Sequence, residues 1–147
     1  MIPNPSLEDG GTDPTSWHRG NWGTNTAIFT YPVAGLDGAR AAKVEIGSYS
    51  SGDAKWYFDP VTVTPGATYD YRERYQSNAP TSLLLRYSLT GGGFRYVFLA
   101  SVPASPATQE ITQRFTVPGD AGEVTVFHLI AGVGALTVDG ISLTLSN

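Results

Sequence analysis

Turn-forming residues interrupt this chain at short and nearly even intervals, and that spacing constrains the fold more than any other feature. Combinations such as Gly-Gly, Pro-Gly and Asn-Ala-Pro recur at 10–11, 35–38, 52–53, 65–66, 78–80, 91–93, 118–119 and 132–134. The segments between them are about five to eight residues long and rich in Val, Thr, Tyr, Phe and Leu, which is typical of β-strands. None shows a sustained 3.6-residue apolar period, so we predict an all-β chain with no long helix.

The predicted strands are similar in length and follow one another from residue 39 to the end. They span 39–46, 55–63, 68–76, 82–89, 94–100, 111–117, 124–130 and 135–145. About eight or nine short strands at such spacing are typical of a sandwich or a jelly roll. We therefore predict a β-sandwich jelly roll of two antiparallel sheets, formed by a single domain over residues 1–147. The less regular N-terminal segment, which holds Trp17 and Trp22, is expected to be a long loop.

Charge and composition exclude several classes of function. The chain carries 9 Lys and Arg against 13 Asp and Glu, a formal net charge of −4, whereas nucleic-acid binding requires a basic face. The absence of cysteine excludes disulfides and Cys-ligated metals, and no apolar run approaches the roughly 18 residues of a membrane-spanning helix. Met1–Pro5 has neither the basic start nor the apolar core of a signal peptide. For a secreted or cell-surface domain we therefore expect a piece excised from a longer protein.

The strand at 68–76 shows which of its faces is buried. Its alternation separates Tyr69, Tyr71, Glu73 and Tyr75 on one face from Asp70, Arg72, Arg74 and Gln76 on the other. Unpaired charges do not line a hydrophobic core, so we predict that the tyrosine face is the inner one. Glu73 is then expected to have a partner or to lie near the strand end.

For the strand at 55–63, the sequence leaves two alternatives for the aromatic residue that points outward. If Val61 and Val63 point inward, regular alternation places Trp56 on the outer face. A bulge near Asp59 and Pro60 would instead exchange the roles of Trp56 and Tyr57. In the strands that follow, the same alternation predicts an outward Arg86 at 82–89 and an outward Phe127 at 124–130.

An outer face that combines aromatic rings with Arg and Gln suits carbohydrates. The C–H faces of pyranose rings stack on aromatic side chains, and the hydroxyls require planar hydrogen-bond donors and acceptors. The predicted carbohydrate-binding residues are Trp22, Trp56, Tyr57, Arg72, Arg74, Gln76 and Arg86. The alternative is that these side chains cover the sheet or pack beneath the N-terminal segment, and Trp17 and Trp22 suit either role equally.

The sequence offers no specific catalytic motif. It lacks a Gly-x-Ser-x-Gly elbow, a His-Glu-x-x-His pair and a phosphate-binding loop. His128 lies in an apolar strand and is expected to be a hydrogen-bonded core or rim histidine. A small hydrolase would require two carboxylates that converge in a cleft. We therefore predict no catalytic residues and no enzyme activity.

Three segments together resemble the jelly-roll carbohydrate-binding modules of the family 4, 9, 16 and 22 group. The opening 2–10 is similar to that group's Asn-x-x-Phe-Glu-x-Gly motif, with Leu7 in the Phe place. The stretch 61–69 resembles its strand, Pro-Gly and Tyr hairpin. The closing segments 115–118 and 134–143 resemble its Asp-Asp-Val-x-Leu pattern, with Gly140 replacing the second Asp. The resemblance covers nearly the whole chain.

The resemblance implies two sites. Members of the group commonly hold a structural calcium, which here implies the side chains of Glu8 and Asp139 with backbone carbonyls near Ser6 and Lys43. They also bind glycan chains on the concave outer face of one sheet, which implies a cleft at Trp56 and along the strand from Arg72 to Gln76.

The function implied is that of a non-catalytic carbohydrate-binding module. It would bind a polysaccharide such as a glucan, a xylan or a related glycan, and target a covalently linked catalytic domain to that substrate. Neither nucleic acid nor a membrane is an expected partner. The alternative is a structural or adhesive cell-surface β-sandwich that binds protein through a flat apolar patch.

Overall fold

The computed structural model describes residues 1–147 and contains eleven β-strands and no helix. The strands are β1 (Trp17–Trp22), β2 (Asn25–Ala34), β3 (Arg40–Tyr49), β4 (Asp53–Phe58), β5 (Val61–Thr62), β6 (Thr68–Ser77), β7 (Thr81–Leu89), β8 (Phe94–Val102), β9 (Ser105–Thr116), β10 (Ala121–Leu129) and β11 (Gly134–Leu145). The structure contains no helix that could cross a lipid bilayer. The all-β prediction is confirmed, and each predicted strand overlaps an observed one, except that 55–63 is divided into β4 and β5. The N-terminal segment differs from the expected loop, because it contributes β1 and the start of β2.

The strands form two antiparallel layers. One layer is a five-stranded sheet with the order β2-β3-β11-β6-β9, and the other contains β5-β10-β7-β8. The pair β1-β4 extends the second layer, because Ala54 of β4 exchanges both backbone hydrogen bonds with Ile130 beside β10, at 3.0 and 2.9 Å. We call this extended layer, β1-β4/β5-β10-β7-β8, the cleft sheet. The predicted β-sandwich of two antiparallel sheets is confirmed.

An interruption at Asp59 and Pro60 decides which aromatic side chain of β4 faces outward. Both β4 and β5 run along the same side of β10. Their register relative to β10 differs by one residue. Because side chains alternate with a period of two, such a shift reverses the faces of β4. Regular alternation, which predicted an outward Trp56, is therefore wrong, since that side chain is 3% exposed, and the alternative of a break near Asp59 and Pro60 is confirmed. Tyr57 points outward instead.

The inner face of β6 carries a buried polar network. Tyr71 and Tyr75 are buried as predicted, and Glu73 between them is only 2% exposed. The Glu73 carboxylate accepts a hydrogen bond from the Tyr71 hydroxyl and pairs with Nδ1 of His128. On its other side His128 Nε2 lies 2.7 Å from Thr81 Oγ1. The expected partner of Glu73 is thus confirmed, and these bonds offset the cost of burying its charge.

The two N-terminal tryptophans have different environments. The indole of Trp17 is buried, packs edge-on against Phe58 at 5.4 Å and donates to the carbonyl of Pro3 at 3.2 Å. It anchors the N-terminal segment to the core. Trp22, at the end of β1, is 61% exposed and is available to a ligand.

Candidate functional site

The outer face of the cleft sheet carries an open cleft of about 660 Å³. Its lining combines aromatic, aliphatic and charged side chains from five strands. They are Arg19, Gly20, Asn21, Trp22, Asp53, Lys55, Tyr57, Leu84, Arg86, Tyr96 and Phe127. The sandwich core fills the inner face of the same strands, so every second residue is available to form this surface.

The floor of the cleft is apolar because strand register brings outward residues side by side. Phe127 of β10 lies opposite Leu84 of β7. The Tyr57 ring meets Phe127 edge-on with the centroids 5.1 Å apart, and Tyr96 lies on the other side of Phe127 at 6.3 Å. Phe127 itself is 5% exposed, so it supports the rings that stand above it. The outward orientation predicted for Phe127 is confirmed.

One end of the cleft is organised by a buried carboxylate. Asp53 accepts a hydrogen bond from Trp22 Nε1 at 2.7 Å and forms an ion pair with Lys55 Nζ at 2.6 Å. The Lys55 ammonium also lies 4.6 Å from the centroid of Phe127. These contacts fix an exposed indole at the rim, and they neutralise the Lys55 charge within the cleft.

The glycine at position 20 leaves room for this arrangement. Gly20 lies opposite Lys55 in the β1–β4 ladder. A Cβ atom there would come within 2.8 Å of Lys55 Cε and 3.1 Å of Tyr57 Cε1. A larger residue would therefore displace the side chains that form the floor.

Arg86 occupies the centre of the cleft. Its guanidinium carbon lies 4.5 Å from the ring centroid of Phe94, 5.3 Å from that of Phe127 and 5.4 Å from that of Tyr57. The Nε atom is buried and has no hydrogen-bond partner. The outward orientation predicted for Arg86 from the alternation of β7 is confirmed.

The sheet edge adds exposed aromatic residues that sequence reasoning missed. Phe94, Tyr96 and Phe98 follow one another on the outer side of β8 and are 55%, 56% and 61% exposed. Their alternation with Arg95 and Val97 was a visible signal, but nothing in the sequence showed that this strand adjoins Arg86. Rows of exposed aromatic side chains are typical of binding surfaces.

The other predicted binding residues lie outside the cleft. Arg72, Arg74 and Gln76 are on the outer face of β6, which belongs to the five-stranded sheet. Arg74 pairs with Asp37, and Gln76 Nε2 donates to Thr108 Oγ1 at 2.9 Å. The prediction that these residues and Trp56 share one cleft is wrong, because alternation assigns a face within a strand but not a sheet. Of the predicted set, the structure brings together Trp22, Tyr57 and Arg86.

The two carboxylates implied as calcium ligands both accept backbone hydrogen bonds from residues 36–40. Glu8 Oε1 accepts hydrogen bonds from the backbone N–H groups of residues 39 and 40, at 2.9 and 3.0 Å. Asp139 Oδ2 accepts from the N–H groups of residues 36 and 37, at 2.9 and 2.8 Å. The Lys43 carbonyl accepts from Trp56 Nε1 at 2.8 Å. The structure contains no group of three or more acidic or histidine side chains placed to hold a metal ion.

Backbone donors thus engage both oxygens of Asp139 and one oxygen of Glu8. Burial raises the pKa of the Asp139 carboxyl, and the N–H donors of Asp37, Gly140 and Leu36 oppose that shift. Calcium stays an expectation from the resemblance that these contacts do not support.

Comparison with known proteins identifies solved structures that share this fold. No family profile and no curated protein matches the sequence. Among solved structures, the enzymatically active domain of bacteriophage CBA120 tailspike protein 4 is similar, with a TM-score of 0.75, 16% identity and coverage of 99% of this chain. This chain spans only 21% of that domain.

Two xylanase modules are also similar. The CBM22-1 xylan-binding domain of Paenibacillus barcinonensis Xyn10C has a TM-score of 0.69 and 12% identity, with 95% of this chain and 90% of that one covered. The CBM22-1–GH10 modules of Clostridium thermocellum xylanase Xyn10B, complexed with xylohexaose, have a TM-score of 0.67 and 17% identity, with 90% and 26% covered. Identities this low show a common fold. The expected resemblance to the jelly roll of these modules is confirmed.

Proposed function

We propose that this chain is a non-catalytic carbohydrate-binding module that holds a polysaccharide chain in the cleft of the cleft sheet. The observation that carries the proposal is the cleft itself, where exposed rings and oriented polar groups lie side by side on a concave outer face. A binding surface for a folded protein partner would favour a flat apolar patch. The fold shared with xylan-binding modules supports the same function.

The lining supplies the two kinds of contact that a sugar requires. Trp22 and Tyr96 present exposed rings on which the C–H face of a pyranose can stack. In the same lining, Arg86 provides a planar donor, and Asn21, whose Nδ2 donates to Asn25 Oδ1 at 2.8 Å, provides an acceptor for hydroxyls. The rings are held by neighbouring side chains, so little conformational freedom is lost on binding.

The carboxylates support a binding role over a hydrolytic one. Glycoside hydrolysis uses two carboxyl groups on either side of the scissile bond. The only carboxylate among the lining residues is Asp53, and its two oxygens are bound to Lys55 and Trp22. The proposed role is therefore attachment to the glycan.

Attachment serves an enzyme when the module is linked to one. The Xyn10B structure combines a related module with a GH10 module in one chain. By analogy, this domain would raise the effective concentration of a covalently linked catalytic domain on a glucan, xylan or related polysaccharide. Such substrates lie outside the cell, so the proposed location is secreted or at the cell surface.

Affinity electrophoresis on soluble polysaccharides tests the proposal. The wild-type domain should be retarded by at least one glycan of a panel of xylans, β-glucans and uronic-acid polymers. Tyr96→Ala should weaken binding by about 1–3 kcal/mol, by analogy with stacking on other aromatic platforms, and should leave the fold intact. Ile28→Ala, which removes a side chain 60% exposed on the other sheet, is the matched control. Equal retardation of wild type and Tyr96→Ala would refute the assignment of the cleft.

A further inference from the structure

Arg86 differs from the other cationic residues because it has no ionic partner within the cleft. Six of the 9 Lys and Arg side chains form ion pairs with Asp or Glu. The three without one are Arg40, Arg72 and Arg86. Arg40 donates to the carbonyl of Gly10 at 3.1 Å, and Arg72 is exposed on the outer face of the other sheet. Arg86 is therefore the one unpaired cation that lines the cleft.

The structure holds the Arg86 guanidinium in place without using its hydrogen-bond donors. Three aromatic rings surround it, at centroid distances from 4.5 to 5.4 Å. Cation–π contact stabilises the charge but does not accept the N–H bonds in the guanidinium plane. The buried Nε has no acceptor at all, and a buried donor without a partner is costly. A fixed and unsatisfied donor set is preorganised for a ligand that accepts from it.

The chemistry of the guanidinium selects the acceptor. Its planar fork matches a carboxylate with two parallel charge-assisted hydrogen bonds, which neutral hydroxyls cannot reproduce. The neighbouring charges of the cleft are already compensated, since Lys55 pairs with Asp53 and Arg19 with Asp13. The remaining local charge is therefore positive, in a chain whose net charge is −4.

We propose that the cleft selects an acidic polysaccharide and that Arg86 binds the carboxylate of a uronic acid residue. The proposal rests on the proposed function and names its substrate class. The sugar ring would stack on the exposed aromatic residues beside Arg86, of which Tyr96 lies opposite it in the β7–β8 ladder. The carboxylate would then lie in the plane of the guanidinium and accept hydrogen bonds from its terminal nitrogens, which have no partner within the chain.

The test compares each polymer with its own neutral form. Polygalacturonate, alginate and glucuronoxylan are used before and after chemical reduction of their carboxyl groups, so that chain length and linkage stay matched. The variants are Arg86→Gln and Arg86→Lys, and the control is Arg72→Gln, which removes an unpaired arginine from the opposite sheet. Binding is measured by affinity electrophoresis and calorimetry, with thermal melts of every variant.

Wild type and Arg72→Gln should bind at least one polymer about tenfold or more tightly in its acidic form, as expected for hydrogen bonds between charged groups. Arg86→Gln should lose this preference and retain binding to the reduced form, while Arg86→Lys should keep part of it. If Arg86→Gln does not fold, the wild-type salt dependence decides, because only the acidic form should weaken as salt is raised.

Three outcomes overturn the proposal and are distinguishable. If wild type binds the reduced polymers as well as the acidic ones, the cleft is a carbohydrate site without acid selectivity. If Arg86→Gln weakens both forms equally, Arg86 does not supply the selectivity. The proposed function then stands. If wild type binds no polymer in either form, the proposed function fails, and the selectivity for acidic glycans fails with it.

Discussion

Replacing Trp56 by alanine should destabilise the fold, whereas replacing its neighbour Tyr57 should spare the fold and weaken binding. The Trp56 indole is 3% exposed, packs edge-on against Phe29 at 5.3 Å and donates to the carbonyl of Lys43 at 2.8 Å. Truncation of a buried Trp costs about 3–5 kcal/mol. This is a large part of the roughly 5–15 kcal/mol that stabilises a domain.

The expected loss can be converted into a shift of the melting temperature. For a domain of this size each kcal/mol lowers Tm by about 2–4 °C, so Trp56→Ala should lower Tm by about 6–20 °C. Trp56→Phe keeps most of the packing and loses the hydrogen bond, so it should remain folded and bind like wild type. Tyr57→Ala should change Tm little, because that ring borders the open cleft, and should cost about 1–3 kcal/mol of binding.

The assay pairs calorimetric melts with affinity electrophoresis for the three variants and wild type. A folded Trp56→Phe variant that has lost binding would refute the placement of Trp56 in the core. The same conclusion would follow if Trp56→Ala melted at the wild-type temperature.

Three further predictions concern stability. Burial raises the pKa of Tyr87 to about 12. The free energy of unfolding should therefore stay constant up to about pH 10 and fall between about pH 10 and 12, where only the unfolded chain releases the proton. In alkaline urea titrations, Tyr87→Phe should reduce this fall. A chelator should leave Tm unchanged, since backbone N–H groups already bind the carboxylates of Glu8 and Asp139, and a drop of several degrees would show that calcium binds after all. Glu73→Ala leaves two buried donors without an acceptor and should cost about 2–6 kcal/mol of the free energy of unfolding in urea. The control is Glu45→Ala, which removes a partly exposed carboxylate and should cost no more than about 1 kcal/mol. Equal effects of the two substitutions would contradict the role of the buried network.

Strand positions and most buried faces could be predicted from the sequence. In β6 the tyrosines pointed inward and the arginines outward, and in β7 Leu85 pointed inward and Arg86 outward. These predictions succeed because the side-chain period of a strand is a property of its backbone, and because an unpaired charge cannot be buried at low cost.

The composition of the cleft depended on the tertiary structure. Arg74 and Arg86 look alike in the sequence, since both point outward from strands whose inner faces carry large side chains. Only sheet pairing places β6 in one layer and β7 in the other, and this pairing depends on contacts between residues distant in the chain. Alternation is local and carries no information about such contacts.

The sequence by itself determined an all-β sandwich and which strand faces are buried. The tertiary structure decided which outward faces share a sheet, and it exchanged Trp56 for Tyr57 through a one-residue shift at Pro60. The physical reason is that a strand alternates with a period of two only while its register is unbroken. The sequence indicates that a break near Pro60 is possible, and the pairing with β10 shows that it occurs.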